Sequence, residues 1–288
     1  MVAERGPCRK ARFGRIFAPG EQRRRMTDTS VFAPGLFAGR HILITGGATG
    51  IGFGIAEELG RLGTRVTIAS RDTARLDAAV TRLHAAGIDA KARQLNIRDN
   101  AAVEAIFADL ASADDLPDAL VNNAGGQFSA PALETSASGF RAILDLNLQG
   151  TWQMCRAYGA ALVAAKKPGR IVNIVFAHCG AMPDFAAAAA ARAGMVNLTR
   201  TLALEWGRHS ILVNAIGPGT IATEALGQYE NAEEWRRAVA KQPVPRLGTP
   251  RDVALAAAYL LSPAGDFVTG TLLRVDGGET LLARDAES

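Results

Sequence analysis

The sequence predicts an α/β protein made of a single doubly wound domain, in which a parallel sheet of about seven strands carries helices on both faces. Three observations support this fold class. Short apolar or β-branched runs alternate with longer helical stretches between residues 41 and 275, a pattern typical of parallel sheets. A glycine-rich turn joins the first run to the first helical stretch. The runs form one continuous series, which favours one domain over two.

The expected strands are the apolar runs, in chain order His41–Thr45, Arg65–Ala69, Ala90–Leu95, Ala119–Asn122, Arg170–Val175, Ile211–Ile216 and Thr271–Val275. The stretches between them have the spacing of amphipathic helices, as in Ile51–Leu62, Asp72–Ala86 and Ala101–Leu110. An alanine-rich stretch begins at Ala186 and continues into apolar positions at helical spacing. Because alanine has the highest helix propensity, this stretch predicts a buried helix.

The composition is that of an ordinary globular protein, with 48% hydrophobic and 21% charged residues in a chain of 288. No apolar run approaches the roughly 18–20 residues that span a bilayer, so we expect no membrane partner. The three cysteines form no CxxC pair, which favours a reducing, cytoplasmic location. The four histidines lack the spacing of metal ligands, so we expect no metal.

The basic charge of the chain lies in its N-terminal segment. Residues 1–25 carry a net charge of +6, whereas the whole chain carries +4, so the remainder is slightly acidic. A nucleic-acid partner requires a basic patch on a folded surface, and we therefore expect none. We expect residues 1–29 to be a basic extension and residues 30–288 to be the folded domain. The extension has three interpretations: a disordered tail, a targeting arm, or sequence upstream of a start at Met26.

The glycine-rich turn is expected to bind the phosphates of a dinucleotide. Gly46, Gly50 and Gly52 follow the first strand and open the first helix. In such turns one glycine permits the tight bend, one lets the pyrophosphate approach the backbone, and one lets helix and strand pack closely. The helix N-terminus supplies free N–H groups. The sequence therefore predicts a Rossmann-type domain, with cofactor contacts from Thr45, Gly46, Thr49, Gly50, Ile51 and Gly52.

The end of the second strand favours NADP(H) over NAD(H). NAD-binding domains usually place an acidic residue here, where it binds the 2′-hydroxyl of the ribose. This sequence has Ser70 and Arg71 instead, and an arginine can pair with a 2′-phosphate. A solvated surface arginine is the alternative interpretation. Asp72 follows directly and complicates the assignment.

Several segments resemble motifs of the short-chain dehydrogenase/reductase superfamily over roughly residues 30–280. Thr45–Gly52 resembles its TGxxxGxG loop, Asn122–Gly125 its NNAG segment, and Asn147 stands at the place of its active-site asparagine. Pro218–Ile221 and Thr269–Gly278 are similar to its late cofactor loop and C-terminal strand. The resemblance implies further cofactor contacts from Asn96, Ile97, Asn123, Ala124, Gly125, Arg192, Pro218, Gly219, Thr220 and Ile221.

Within the superfamily, the chain resembles the peroxisomal trans-2-enoyl-CoA reductases most, and the 2,4-dienoyl-CoA reductases next. Six segments carry this resemblance: Phe32–Leu36, Ala69–Arg71, Asn96–Arg98, Gly125–Phe128, Ala191–Gly194 and Leu202–Trp206. It implies NADPH-dependent reduction, within fatty acid metabolism, of a carbon–carbon double bond conjugated to a thioester. The implied substrate is a small molecule, an acyl-CoA or another carbonyl compound, and the implied assembly is a homotetramer or homodimer.

The sequence departs from the superfamily at the catalytic Tyr-xxx-Lys pair. Counting back from Asn197–Arg200 places Ala188 at the tyrosine position and Arg192 at the lysine position. The superfamily's serine after the fifth strand is also missing, since this region contains Phe176 and His178.

The candidate catalytic residues are therefore Asn147, His178 and Arg192. Asn147 would hold a water molecule or a proton path. Arg192 would hold the nicotinamide ribose and supply positive charge, but it would not shuttle protons near neutral pH. His178 is the candidate proton or oxyanion donor, since the ordinary pKa of histidine, about 6.5, suits acid–base chemistry. Asp184 is a candidate for orienting the substrate or His178.

Three functional hypotheses follow. The favoured one is an NADPH-dependent reductase of a conjugated enoyl thioester. The second is a carbonyl or alcohol dehydrogenase with a rearranged site. The third is a non-catalytic NADP(H)-binding protein, because the Tyr-xxx-Lys pair is absent.

Overall fold

The computed structural model describes residues 31–177, 183–224 and 239–282. Within these residues, parallel strands form one sheet in the order β3-β2-β1-β4-β5-β6-β7. The strands are β1 (His41–Thr45), β2 (Arg65–Ser70), β3 (Ala90–Gln94), β4 (Ala119–Asn122), β5 (Gly169–Ile174), β6 (Ile211–Pro218) and β7 (Leu272–Val275). The predicted fold class is confirmed, and the predicted strand ends differ from the observed ones by two residues at most.

The described helices alternate with the strands. They are α1 (Gly50–Arg61), α2 (Thr73–Ala85), α3 (Asn100–Ser112), α4 (Ala137–Leu144), α5 (Gly150–Ala165), α6 (Ala186–Trp206), α7 (Pro250–Leu261) and α8 (Glu279–Leu282). A π-helical turn, Asp145–Gln149, joins α4 to α5. No helix among the described residues is long and apolar enough to cross a membrane.

The core lies on both faces of the sheet because successive residues of a strand point to opposite faces. In β1, Ile42 and Ile44 pack in a cluster with residues of α1 and α7, whereas Leu43 packs in a cluster with residues of α3 and α5. Strands covered on both faces are near-continuously apolar, as the sequence of β1 is. The helices therefore cover both faces of the sheet.

The strand order reverses next to β1. The chain builds β2 and β3 on one side of β1 and then crosses to β4 on the other side. In open α/β sheets, ligands bind in the crevice at the carboxyl ends of the strands at such a reversal. Thr45 ends β1 and Asn122 ends β4, and these two residues pair in register. The topology thus places the glycine turn at this crevice.

A buried histidine lies at the opposite, amino-terminal end of β1. The His41 Nε2 atom is 2.8 Å from Thr67 Oγ1, and Nδ1 is 3.2 Å from the backbone oxygen of Asp115. Burial lowers the pKa of His41 below its ordinary value of 6.5, and the charge of Arg65 lowers it further, while Asp115 acts in the opposite direction.

This shift predicts a loss of stability as the pH falls below 6.5. The unfolded chain takes up a proton on His41 near pH 6.5, whereas the folded chain does so only at lower pH, so acid favours unfolding. His41→Gln should therefore make the melting temperature depend less on pH between neutrality and pH ~5. His209→Gln, at an exposed histidine, is the control. An equal dependence of the melting temperature on pH in wild type and His41→Gln would contradict this role of His41.

Candidate active site

A cleft of about 350 Å³ opens at the carboxyl ends of β1, β2 and β4. Its walls contain eleven of the predicted cofactor contacts: Gly46, Thr49, Gly50, Ile51, Ser70, Arg71, Asn96, Ile97, Asn123, Ala124 and Gly125. The other lining residues are Ala69, Leu95, Leu146, Thr223 and Glu224. The fold therefore brings residues from the connections after five strands, β1, β2, β3, β4 and β6, to one crevice.

The backbone conformation of the glycine turn allows a phosphate to approach it closely. Gly46 and Gly50 have φ angles of 64° and 55°, a region that favours glycine. A Cβ on Gly52 would overlap the Gly46 carbonyl oxygen and the Asn123 amide nitrogen, so α1 packs directly against the turn. The N-cap Thr49 makes no side-chain hydrogen bond to α1. The first amides of α1 are therefore left for an anion.

Two predicted contacts brace the turn from behind. The Thr45 hydroxyl accepts hydrogen bonds from the backbone N–H groups of Asn123 and Ala124, both at 3.0 Å. The Asn123 side-chain amide donates to the carbonyl oxygens of Thr45 (3.2 Å) and Gly46 (3.0 Å). Thr45 and Gly52 are not among the cleft-lining residues. Their geometry gives them the role of positioning the turn.

The end of β2 presents an arginine to the cleft and turns its aspartate away. The Asp72 carboxylate caps α2 by accepting from the Arg75 N–H (3.0 Å), and it also pairs with the Arg75 side chain at 3.2 Å. Asp72 does not line the cleft, whereas Arg71 does. Within the described residues, no ion pair involves Arg71. Asp72 is therefore engaged at the N-terminus of α2 and does not face the cleft.

Asn147 lies in the π-helical turn and is fully buried. Its side-chain amide donates to the carbonyl oxygens of Gly126 (2.7 Å) and Ile143 (2.9 Å), and its side-chain oxygen accepts from the Gly126 N–H at 3.2 Å. Its backbone oxygen accepts from the Thr151 hydroxyl at 3.0 Å. Asn147 thus clamps the loop after β4 with all of its side-chain polar atoms.

Arg192 projects from α6 to the same loop. Its Nη1 donates to the Ile174 carbonyl oxygen at 2.6 Å, and its guanidinium carbon lies 5.1 Å from the centre of the Phe176 ring. The buried Nε has no hydrogen-bond partner among the described residues. A Cβ on Gly125 would lie 2.5 Å from Arg192 Nη2 and 2.7 Å from Asn147 Oδ1. The absence of a side chain at Gly125 therefore lets Arg192 and Asn147 both approach this backbone position beside the cleft.

The charge of Arg192 is not neutralised by any carboxylate of the described residues. Burial lowers the pKa of its guanidinium to about 10, so the group stays positive at neutral pH. A partly buried cation without a carboxylate partner is unfavourable and attracts a negative or strongly polarised oxygen. The site can thus stabilise developing negative charge.

The tyrosine position of the superfamily is apolar here. Ala188 is 3% exposed and packs in a cluster with Ile143 and Phe185, against which Phe140 and Phe176 also pack. No hydroxyl group is supplied from this position. His178 belongs to residues 178–182, which lie outside the described residues, so its predicted role stays a prediction.

The loop after β6 reaches the cleft further along than the sequence indicates. Pro218, Gly219, Thr220 and Ile221 do not line the cleft, and the last two face a separate cavity of about 230 Å³. Thr223 and Glu224 line the cleft instead, and the resemblance did not single them out. The sequence offers one sign of this contact, since Thr223 is a polar residue in the same loop.

Comparisons with known proteins agree with this architecture. A family model described as enoyl-(acyl carrier protein) reductase matches residues 46–280. A Bacillus subtilis protein assigned as a 2,4-dienoyl-CoA reductase is 33% identical over 246 residues, which cover 83% of this chain and 96% of the relative. The peroxisomal 2,4-dienoyl-CoA reductase of Arabidopsis thaliana is 37% identical over 266 residues, which cover 86% and 87%.

Two further similarities broaden the range of activities. The galactitol 2-dehydrogenase of Rhizobium johnstonii is 34% identical over 247 residues, which cover 84% of this chain and 95% of the relative. A solved structure assigned as an NAD(P)-dependent gluconate 5-dehydrogenase of Beutenbergia cavernae, with NADP at low occupancy, is 34% identical with a TM-score of 0.79. It covers 87% of this chain and 100% of its own. The chain therefore belongs to the short-chain dehydrogenase/reductase family of nicotinamide-dependent oxidoreductases.

Proposed function

We propose that this protein is an NADPH-dependent reductase of enoyl thioesters of the acyl-CoA type. One observation carries the proposal: where the superfamily has lysine and tyrosine, this site has Arg192, which pairs with no carboxylate among the described residues, and an apolar Ala188. The site can therefore stabilise negative charge on an oxygen without delivering a proton to that oxygen from a tyrosine. Reduction of a conjugated double bond tolerates this combination, because the final proton goes to carbon and not to the oxygen.

The chemistry distinguishes this reaction from ketone reduction. NADPH, when bound, would supply a hydride to the β-carbon of the enoyl group. Negative charge then develops on the thioester oxygen, where Arg192 would stabilise it by charge and by hydrogen bonding. The α-carbon would then take the final proton from water, whereas a ketone must receive its proton on the oxygen. Because arginine holds its proton at neutral pH, Arg192 suits the first reaction better.

Asn147 would support the site indirectly. Its side chain fixes Gly126 through two hydrogen bonds, and Gly126 follows the cleft-lining Gly125. Arg192 Nη2 also approaches Gly125. We therefore assign Asn147 the role of holding the loop after β4 in the position that Arg192 needs.

The preference for NADPH rests on the end of β2. Arg71 lines the cleft, whereas Asp72 caps α2 and pairs with Arg75. A cation without an ion-pair partner among the described residues suits a 2′-phosphate, and a carboxylate at that position would repel it. The NADP in the Beutenbergia cavernae structure is consistent with this preference.

Replacing Arg71 tests this assignment. Arg71→Ala should weaken NADPH binding by about tenfold, because an exposed charge-assisted hydrogen bond is lost. NADH binding should change little, since NADH has no 2′-phosphate. Titration calorimetry with both nucleotides measures the two affinities, and Arg200→Ala, at an exposed arginine on α6, is the control. Equal weakening for both nucleotides would contradict the role of Arg71.

The proposed activity is tested by mixing the purified protein with NADPH and trans-2-enoyl-CoA substrates of increasing chain length. We expect the NADPH absorbance to fall and a saturated acyl-CoA to form. A 2,4-dienoyl-CoA belongs in the same series, because two relatives are assigned as reductases of that substrate. NADPH binding without turnover on any thioester would contradict the proposal and leave the dehydrogenase and non-catalytic alternatives.

A second candidate function is a carbonyl or alcohol dehydrogenase with a rearranged site. The similarity to galactitol 2-dehydrogenase favours it, and the apolar surroundings of Ala188 argue against it. Polyols with NADP⁺ and ketoses with NADPH separate the two candidates, since only the second candidate turns them over.

Assembly and location stay predictions. Light scattering on the purified protein would give the mass of its assembly and so test the homotetramer or homodimer implied by the resemblance. The cytoplasmic location is measured by cell fractionation.

A further inference from the structure

The segment that follows β6 is anchored by the turn after β7. The Gly219 N–H donates to the Val275 carbonyl oxygen at 3.0 Å. The Thr220 N–H donates to Glu279 Oε2 at 2.8 Å, and the Thr220 hydroxyl lies 3.2 Å from the same oxygen. Glu279 thus binds both donor groups of Thr220. Hydrogen bonds to an ionised carboxylate are stronger than those between neutral groups.

This contact is tightly packed. A Cβ on Gly219 would lie 2.5 Å from Glu279 Oε2 and 2.8 Å from Asp276 Cα. The Asp276 carboxylate in turn accepts from the N–H groups of Gly278 (3.0 Å) and Thr280 (3.2 Å), which fixes the turn that carries Glu279. The carboxylate of Glu279 therefore has a fixed position from which to hold Thr220.

The anchored segment continues directly into the cofactor cleft. The Thr220 carbonyl oxygen accepts from the Gly248 N–H at 3.0 Å, and the Ala222 N–H donates to the Gly248 carbonyl oxygen at 2.8 Å. Thr223 then lines the cleft, and its methyl carbon lies 3.5 Å from the place of a Cβ on Gly50. A displacement at Thr220 would therefore reach the glycine turn through three residues of constrained backbone.

We infer that Glu279 is a positioning residue for the dinucleotide, because its carboxylate anchors Thr220 and so sets Thr223 against the glycine turn. Glu279 does not line the cleft, so it acts through Thr220 and not by touching the cofactor. The inference rests on the proposed binding of NADPH. It adds a residue from the C-terminal turn to the determinants of cofactor affinity.

The test compares NADPH affinities by calorimetry for wild type, Glu279→Ala, Glu279→Gln and Thr220→Val. Glu279→Ala should bind NADPH about tenfold more weakly, because the hydrogen bonds to a charged acceptor are lost. Glu279→Gln keeps an oxygen that accepts from the Thr220 N–H, and it should bind within about threefold of wild type. Thr220→Val loses only the hydroxyl contact, so its NADPH affinity should lie between those of Glu279→Ala and wild type. Glu57→Ala, at a carboxylate paired with Arg61 on the surface of α1, is the matched control.

The outcomes separate this inference from the proposed function. If wild type does not bind NADPH, the proposed cofactor is wrong. If wild type binds but a folded Glu279→Ala binds equally well, the positioning role is wrong. Should Glu279→Ala fail to fold, the comparison passes to Thr220→Val, and wild-type affinity in this variant would overturn the inference. Apo melting temperatures report folding independently of the nucleotide.

Discussion

Arg192→Leu should lower kcat for an enoyl-CoA by about 100- to 1000-fold, the usual effect of removing one donor to a developing oxyanion. Arg192 Nη2 and Asn147 Oδ1 both approach Gly125, and no carboxylate among the described residues pairs with Arg192. The same substitution should raise the melting temperature, because it replaces a partly buried charge, without a carboxylate partner among the described residues, with an apolar side chain beside Phe176. Activity and stability therefore change in opposite directions.

Steady-state kinetics and thermal melting of the same preparation measure both effects. Arg192→Lys is the matched control, since it keeps the positive charge and should retain more activity than the leucine variant. NADPH affinity, measured by calorimetry, should fall less than kcat. A kcat within threefold of wild type in Arg192→Leu would show that the charge does not act on the reacting oxygen.

Gly52→Ala should disrupt cofactor binding through the backbone. A Cβ at this position overlaps the Gly46 carbonyl oxygen and the Asn123 amide nitrogen, and neither can move without shifting the turn. Forcing an extra methyl group into a packed site destabilises the fold by about 1–3 kcal/mol. NADPH affinity should fall by about tenfold or more, because the turn must then move away from the pyrophosphate.

Gly207→Ala provides a control for the loss of a glycine as such. A Cβ on Gly207 meets nothing within 4 Å, and its φ of −53° is accessible to any residue. This variant should bind NADPH as wild type does and be equally stable or slightly more stable. Calorimetry and urea unfolding compare the two variants. Wild-type affinity in Gly52→Ala would contradict the close packing between the turn and α1.

The sequence determines the parts of the fold that depend on local pattern. Strand β1 and helix α1 were predictable because a buried apolar run precedes a glycine turn and then an amphipathic stretch. The position of the cleft followed from the same turn, since the carboxyl ends of neighbouring parallel strands meet at one edge. Arg71 could be proposed because it stands at the end of β2.

Other features depend on tertiary contacts that no local pattern encodes. The commitment of Asp72 to the α2 N-terminus was not evident from its place beside Arg71. Asn147 could be located from its motif, but its clamp on Gly126 requires the folded loop after β4. The anchoring of Thr220 by Glu279 joins residues 59 positions apart. Contacts of this range become visible only when β6 and β7 pair.

The proposed function requires that the site directs a hydride to the β-carbon of an enoyl thioester and not to a carbonyl carbon. The most direct measurement uses NADPH carrying deuterium at the transferable position, together with a trans-2-enoyl-CoA. Mass spectrometry and NMR then locate the label in the product. We predict a saturated acyl-CoA with one deuterium on carbon 3. Deuterium on the carbinol carbon of an alcohol, or recovery of unreduced enoyl-CoA with NADPH bound, would contradict the claim.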